Sequence, residues 1–178
     1  MMKMDKKTLG WTLCFFLATC GSLRAQEPNG DEIQSCRTFV QGFYNWYVGK
    51  HFIDDVTKYK RSALSAELLG LLKYSMPKGD DEGFVWDWDP FLASNDAGTR
   101  YSVGRITRKG AAFWVGVHHV LPPPRPAKPD VTAEVIFKDG RWLFVNFHYA
   151  KDPKFPMNDN LLSILKWYKS HSTPTKRR

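Results

Sequence analysis

The dipeptide Asp139-Gly140 is the feature that most narrows the folds open to this chain. It stands between two segments rich in β-branched and aromatic residues, 131–138 and 141–149. Asp-Gly is a preferred pair for the two-residue turn of an antiparallel hairpin, because both positions need a positive φ that few residues tolerate. The sequence therefore predicts two antiparallel strands joined by this turn.

A second pair of strands is predicted upstream of this hairpin. Segments 101–107 and 111–121 have the strand pattern, and the short glycine-containing stretch 108–110 separates them. The proline-rich segment 122–129 follows. Proline lacks the amide N–H that a strand must donate, so this segment is predicted to be a loop.

Helical periodicity dominates the part of the chain before these strands. Apolar residues recur at spacings of three and four over 33–47, which predicts a helix of about 18 residues with one buried stripe. After a polar link through 58–61, a second helix is predicted over 65–74, with Ser65 as its N-cap. Segment 161–168 also has helical spacing. Helices followed by antiparallel strands indicate an α+β fold.

The first 25 residues have the layout of a secretory signal peptide. A head with three lysines precedes the apolar run 9–23, and the small Ala25 follows. The run is shorter than the roughly 20 residues that a membrane-spanning helix needs. Cleavage after Ala25 predicts an exported protein, periplasmic or secreted. The alternative is cleavage before Cys20, since 17–20 resembles a lipoprotein box whose acylated cysteine would anchor the chain to a membrane.

The rest of the chain is long enough for one domain with one core. We expect a linker over 26–31, a single domain over 32–170 and a basic disordered tail over 171–178. The net charge of +8 is basic but not extreme, and part of it lies in that tail. No nucleic-acid partner is therefore predicted. Cys36, in an apolar helical pattern, is predicted to be a small buried hydrophobe.

Motifs for common catalytic chemistry are missing from the sequence. It has no glycine-rich phosphate loop, no paired Cys or His at zinc spacing and no Gly-x-Ser-x-Gly elbow. These absences exclude most kinases, dehydrogenases and hydrolases. We accordingly predict no catalytic residue, no cofactor and no metal site.

Several features together resemble a known bacterial family. They are the apolar helix 39–47, the element 87–91 (Asp-Trp-Asp-Pro-Phe) with Asn95-Asp96 after it, the hairpin around 139–142 and the closing segment 161–165. This combination resembles a family of exported proteins of unknown function, assigned to the cone-shaped superfold named after nuclear transport factor two. SnoaL-like and ketosteroid isomerase-like proteins share that superfold.

The resemblance covers about residues 32–168. It implies N-terminal helices packed on a curved antiparallel sheet. The superfold hosts isomerases, dehydratases, ligand carriers and non-catalytic partners, so it implies no particular activity.

The predicted site lies on one face of the last hairpin. Regular pairing from the turn places Val135, Ala133 and Val131 opposite Phe144, Asn146 and His148, respectively, on one side of the sheet. That face is apolar and ends in an amide and an imidazole, which is typical of a small-ligand pocket. Asp89 completes this speculative site, although its place before Pro90 predicts a capping carboxylate instead.

The opposite face of the same hairpin is also apolar. Alternation assigns it Ile136, Leu143, Val145, Phe147 and Tyr149. Such a face is too apolar for open solvent, so we expect a covering element or a partner subunit there, for example in a homodimer.

Three classes of function remain open on this basis. The favoured one is a non-catalytic envelope domain that binds a small apolar ligand or an envelope protein. The second is a small cone-fold isomerase or dehydratase with a carboxylate base. The third is an immunity-type inhibitor of another exported protein. Membrane contact is expected only if Cys20 is lipidated.

Overall fold

The computed structural model describes residues 29–77, 88–94, 100–120, 128–150 and 160–172. These segments form an α+β fold with four α-helices and one four-stranded antiparallel sheet, which confirms the predicted class. The helices are α1 (Gly30–Tyr47), α2 (Ile53–Tyr59), α3 (Ala66–Ser75) and α4 (Leu161–His171). The strands are β1 (Tyr101–Lys109), β2 (Ala112–His119), β3 (Val131–Lys138) and β4 (Arg141–Tyr149), and they lie side by side in chain order.

Helix α1 has the length and the buried stripe that its periodicity predicts. It spans 18 residues and begins after Asn29, whose side chain accepts a hydrogen bond from the Asp31 N–H. Its buried side chains recur at spacings of three and four: Cys36, Val40, Phe43, Tyr44 and Tyr47. This stripe packs on the sheet, for example where Phe43 meets Phe144 at a ring-centroid distance of 4.9 Å.

The link between α1 and α3 is more ordered than the polar sequence suggests. It contains the seven-residue helix α2 and a 3-10 turn at Arg61–Ala63. The Asp55 carboxylate accepts a hydrogen bond from the Phe52 N–H at 3.1 Å, and Val56 is fully buried. Residues 58–61 are the predicted polar link, but the sequence analysis did not identify the helix and the 3-10 turn that include most of them.

Helices α3 and α4 begin at side-chain caps and lie against the edge of the sheet. Ser65 caps α3, as predicted, by accepting a hydrogen bond from the Leu68 N–H at 3.3 Å. Asn160 caps α4 in the same way through the Ser163 N–H at 2.9 Å. Next to these caps, the Ser65 N–H donates to the Phe144 carbonyl at 2.8 Å. Backbone pairing of this kind covers part of the free edge of β4.

The turn between β3 and β4 has the conformation that Asp-Gly favours. Asp139 has φ 51° and Gly140 has φ 74°, both in the left-handed region. The strands on either side span 131–138 and 141–149, as predicted.

Beyond the turn, the pairing of β3 with β4 departs from strict alternation. Phe137 faces Trp142 and Val135 faces Phe144, as predicted. A bulge then places Glu134 opposite Asn146, Ala133 opposite Phe147 and Val131 opposite Tyr149. The predicted pairs Ala133–Asn146 and Val131–His148 were wrong, because one extra residue in a strand sends every later side chain to the other face.

The two faces of the sheet consequently differ. We call the side packed against α1 the inner face, and its core includes the fully buried Val131, Ala133, Val135, Phe144 and Phe147. We call the opposite side the outer face. It carries Trp114, Glu134 and His148, whose side chains contact one another.

Some predicted features lie outside the described residues. They are the leader 1–25 with Cys20, linker residues 26–28, Asp87, Asn95-Asp96, the proline segment 122–127 and the tail from 173. Helix α1 begins at Gly30, inside the predicted linker, and α4 extends to His171. Among the helices described, none is both long and apolar enough to cross a membrane.

Candidate functional site

The apolar residues of the predicted pocket lie in the closed core. Val131, Ala133, Val135 and Phe144 are fully buried and pack within one cluster that also contains Phe147. Phe144 and Phe147 stack at 5.1 Å on the inner face. These residues therefore fill the space in which we expected a ligand.

Asn146 and His148 point away from that core. Both follow the bulge, and His148 stacks on the ring of Trp114 on the outer face. The structure therefore does not bring the six hairpin residues of the predicted pocket together on one face. Phe147 and Tyr149, which alternation assigned to the opposite face, instead pack in or against the core.

Asn146 connects β4 to the start of α4. Its side-chain oxygen accepts hydrogen bonds from the Phe147 N–H at 2.9 Å and from the Leu162 N–H at 3.0 Å. Its amide nitrogen donates to the Asn160 side chain at 3.2 Å. These contacts satisfy a buried amide, so they explain the burial of Asn146 by a structural role.

Asp89 is a capping carboxylate, as its position before proline predicts. One carboxylate oxygen accepts hydrogen bonds from the Phe91 N–H at 2.8 Å and the Leu92 N–H at 3.3 Å. The Ala93 N–H donates to the Asp89 carbonyl at 2.8 Å, which closes a single helical turn. Ala93 has φ 52°, and this left-handed residue ends the turn.

Three tyrosine hydroxyls hold this turn against the core. Tyr47 donates to the second Asp89 carboxylate oxygen at 2.6 Å. Tyr44 donates to the Phe91 carbonyl and Tyr149 donates to the Pro90 carbonyl, each at 2.8 Å. We call this arrangement the Asp89 turn.

Burial shifts the pKa values of the ionisable groups in the Asp89 turn. Desolvation raises the pKa of Asp89 above its ordinary value, although hydrogen bonds from Tyr47 and from two backbone amides oppose this shift. Desolvation also raises the pKa of Tyr47, and the nearby Asp89 charge raises it further. A buried carboxyl beside a tyrosine is suited to acid–base chemistry, but here its oxygens accept hydrogen bonds that stabilise the fold.

The outer face carries a cluster that the sequence analysis did not identify. The rings of Trp114 and His148 stack with centroids 4.0 Å apart and an interplanar angle of 19°. The Lys109 ammonium lies 3.5 Å from the centroid of the Trp114 ring. His148 Nε2 lies 2.8 Å from a carboxylate oxygen of Glu134. We call these four residues the Trp114 cluster.

The backbone around the Trp114 cluster is closely covered at two glycines. A Cβ atom at Gly104 would lie 2.7 Å from the His118 ring, so the ring lies directly over this glycine and would have to shift for any larger residue. A Cβ atom at Gly116 would lie 3.4 Å from Pro129. The outer face is therefore covered at its β1–β2 side by side chains of the chain itself.

No independent signal for this cluster is present in the sequence. Phe144 and Phe147 are three residues apart, so regular alternation places them on opposite faces, and both faces of the hairpin are apolar. The bulge that moves His148 to the face of Trp114 follows only from the structure, in which both rings pack in the core.

Two cavities lie away from both clusters. A groove of about 670 Å³ separates α3 from α4 and is lined by residues that include Gly70, Tyr74 and Lys169. A cavity of about 420 Å³ lies beside α1 and the start of β1, next to Gln41 and Arg100. None of the predicted site residues lines either cavity.

Cys36 has the properties of an unreactive core residue. It is a free cysteine with no exposed surface, as predicted. Desolvation raises the pKa of its thiol to about 12, so the thiol stays protonated near neutral pH. Within the described ranges, no group of three or more His, Cys, Asp or Glu side chains could hold a metal ion.

Comparisons of the chain with protein-family models, with curated proteins and with solved structures found no match. The Asp89 turn and the Trp114 cluster are therefore the two features from which a function can be inferred.

Proposed function

We propose that the protein is an exported, non-catalytic binding domain that uses the outer face of its sheet as a protein-contact surface. The observation that carries this proposal is the Trp114 cluster. Tryptophan is enriched among the residues that dominate binding energy at protein interfaces. In this cluster its ring is already fixed by His148 and Lys109, so little side-chain entropy remains to be lost on binding.

The partner we propose for this face is a second copy of the chain. In a twofold contact, residue i of one copy meets residue j of the other and the reverse, so charged groups in such a patch can pair across it when the patch carries both signs of charge. The Trp114 cluster does so, with Lys109 on the Trp114 ring and Glu134 beside His148. Ile136 follows Glu134 by two residues on β3, so it lies on the same face and adds apolar surface.

Two further parts of the proposal depend on the sequence. The leader 1–25, with its small residue at position 25, supports export, and the lipid-anchored form through Cys20 is the alternative. The order of elements and the packing of α1 on the sheet support the cone of nuclear transport factor two-like proteins as the detailed fold. Mass measurement of exported protein should give an N-terminus at Gln26, whereas an acylated Cys20 would establish the anchored form.

The enzymatic alternative, a cone-fold isomerase or dehydratase, would use Asp89 as its base. The raised pKa of this buried carboxyl favours that class. The hydrogen bonds that Asp89 accepts from Phe91, Leu92 and Tyr47 support a structural role instead. An immunity-type inhibitor would also use a protein-contact surface, but its partner would be a different chain.

Sedimentation of the mature protein tests the proposed function. The wild type should form a dimer whose fraction rises with protein concentration. Replacing Trp114 with alanine should weaken the dimer roughly 30-fold, the effect of losing about 2 kcal/mol at a dominant interface residue. Phe137→Ala is the matched control, because Phe137 is an exposed aromatic of β3 at the hairpin tip. A wild type that stays monomeric at its highest soluble concentration would contradict the proposal.

A further inference from the structure

The two most exposed large apolar side chains among the described residues lie at the two ends of α2. Phe52 directly precedes the helix and is 77% exposed, and Tyr59 is its last residue and is 69% exposed. Phe52 has an extended backbone at the N-cap and Tyr59 ends the helix, so the two exposed rings flank a short helix that the buried Val56 fixes to the body.

Basic residues surround these two aromatic side chains. Lys50 precedes α2, while Lys60 and Arg61 follow it. The Lys60 ammonium lies 4.8 Å from the centroid of the Trp46 ring. The positive charge is therefore placed at both ends of the helix, beside the exposed aromatic rings.

The acidic residues of α2 already have partners within the same segment. The Asp54 carboxylate accepts a hydrogen bond from Lys58 at 2.6 Å, and this bond lowers the pKa of Asp54. The Asp55 carboxylate accepts from the Phe52 N–H and lies 3.4 Å from the His51 ring. Segment 50–61 contains four Lys or Arg residues and two Asp residues, so it remains basic.

We propose that segment 50–61 binds the surface of an anionic lipid bilayer. Aromatic side chains that protrude from a short helix can enter the interfacial region of a bilayer, and neighbouring Lys and Arg side chains are attracted to anionic headgroups. Aromatic residues that dominate protein interfaces sit in well-packed pockets, whereas Phe52 and Tyr59 project outward.

This site is separate from the outer face and does not depend on acylation of Cys20. It goes beyond the expectation that membrane contact requires a lipidated cysteine. Membrane contact at α2 would leave the Trp114 cluster available to a second copy of the chain. Variants at Trp114 and at Phe52 should accordingly affect dimerisation and lipid binding independently.

Co-sedimentation with lipid vesicles tests the proposal on the mature protein that starts at Gln26. Vesicles that contain phosphatidylglycerol and phosphatidylcholine should bind the protein, and vesicles of phosphatidylcholine alone should bind it at least tenfold more weakly. The double variant Phe52→Ala with Tyr59→Ala should lose at least tenfold in binding to the anionic vesicles. Lys60→Glu should weaken binding to the anionic vesicles most at low ionic strength, because added salt screens the attraction that this substitution removes.

Phe137→Ala is the matched control for this experiment. Phe137 is 57% exposed and lies 5.2 Å from the Trp142 ring, whose N–H donates to Ser35 near the start of α1. At a rise of about 1.5 Å per residue, α1 separates this region from α2 by roughly 18 Å. The control should bind like the wild type.

Three results would overturn the proposal. They are no binding to anionic vesicles, equal binding to both kinds of vesicle, and unchanged binding of the double variant. Because both replaced side chains are exposed, thermal melting should show that the double variant folds normally. Self-association that depends on Phe52 and Tyr59 without vesicle binding would identify α2 as a protein contact instead.

Discussion

The inner and outer faces of the sheet are built from neighbouring residues of β4 but have different roles. Phe147 is fully buried on the inner face, in contact with Phe144 and Phe91. The next residue, His148, lies on the outer face against Trp114 and Glu134. Side-chain composition alone did not separate these roles, because each face combines aromatic and aliphatic residues.

This difference shows how a single bulge can move a predicted site. Strict alternation put an imidazole and an amide into an apolar pocket on the inner face. With the bulge, the inner face becomes a continuous core, and the polar groups move to the outer face and to the cap of α4. A contact surface is accordingly expected on the outer face of the sheet and not on the inner face.

The largest expected effect comes from the aromatic side chain that joins the Asp89 turn to the inner face. Phe91 is fully buried among Phe43, Tyr47 and Phe147. Phe91→Ala should lower the free energy of unfolding by about 4 kcal/mol, since it removes a buried ring and leaves a cavity. Urea denaturation measures this change. A loss below about 1 kcal/mol, no larger than that of the exposed control Phe137→Ala, would contradict the placement of Phe91 in the core.

A smaller effect is expected for Asp89→Ala, which removes the cap of the turn. The variant loses two backbone contacts and leaves the Tyr47 hydroxyl without its acceptor. We expect a loss of about 2 kcal/mol in the free energy of unfolding, measured by urea denaturation. Unchanged stability together with lost binding or activity would instead favour a functional role for this carboxylate.

The pH dependence of stability gives a separate prediction for the same carboxyl. Burial raises its pKa in the folded state above the ordinary 3.8, so the folded protein holds this proton more tightly than the unfolded chain. The stabilisation that this carboxyl contributes is fully present below pH 3.8, and it is lost as pH rises through the raised pKa of Asp89. Asp89→Asn cannot titrate at this position. Urea denaturation at a series of pH values should show that, as pH rises, the wild type loses stability relative to Asp89→Asn. Parallel stability profiles for the two proteins would contradict the raised pKa of Asp89.

Asn146→Ala should have an effect of about 1 to 2 kcal/mol on stability. The variant leaves the buried N–H groups of Phe147 and Leu162 without their side-chain acceptor. Thermal melting and hydrogen exchange should show destabilisation concentrated at the start of α4. His148→Ala at the neighbouring outer position is the matched control and should leave exchange in α4 unchanged. Unchanged hydrogen exchange at the start of α4 in the Asn146→Ala variant would contradict a structural role for Asn146.

The sequence predicted the elements of this fold well because each had a local signal. Ser65 is a good N-cap, Asp139-Gly140 favours one turn type, and Asp89 precedes a proline. Each of these residues has the predicted role in the structure. Helix α2 was missed because its seven residues are mostly polar and only Val56 reaches the core.

The candidate site was harder to predict because it depends on long-range register. The turn fixes pairing as far as Val135 and Phe144, and the bulge after that pair reverses every later assignment. The Trp114 cluster takes one residue from each of the four strands, so no local pattern in the sequence describes it.

The most direct test of this account compares the stability of two variants at adjacent positions of β4. Urea denaturation should show that Phe147→Ala loses about 4 kcal/mol in the free energy of unfolding, because it opens a cavity in the inner face. His148→Ala should lose less than about 1 kcal/mol, since its ion pair and ring stack are partly exposed. The opposite result, with Phe147→Ala tolerated and His148→Ala severely destabilising, would indicate a regular register without the bulge. It would contradict the division of the sheet into a closed inner face and an outer contact face.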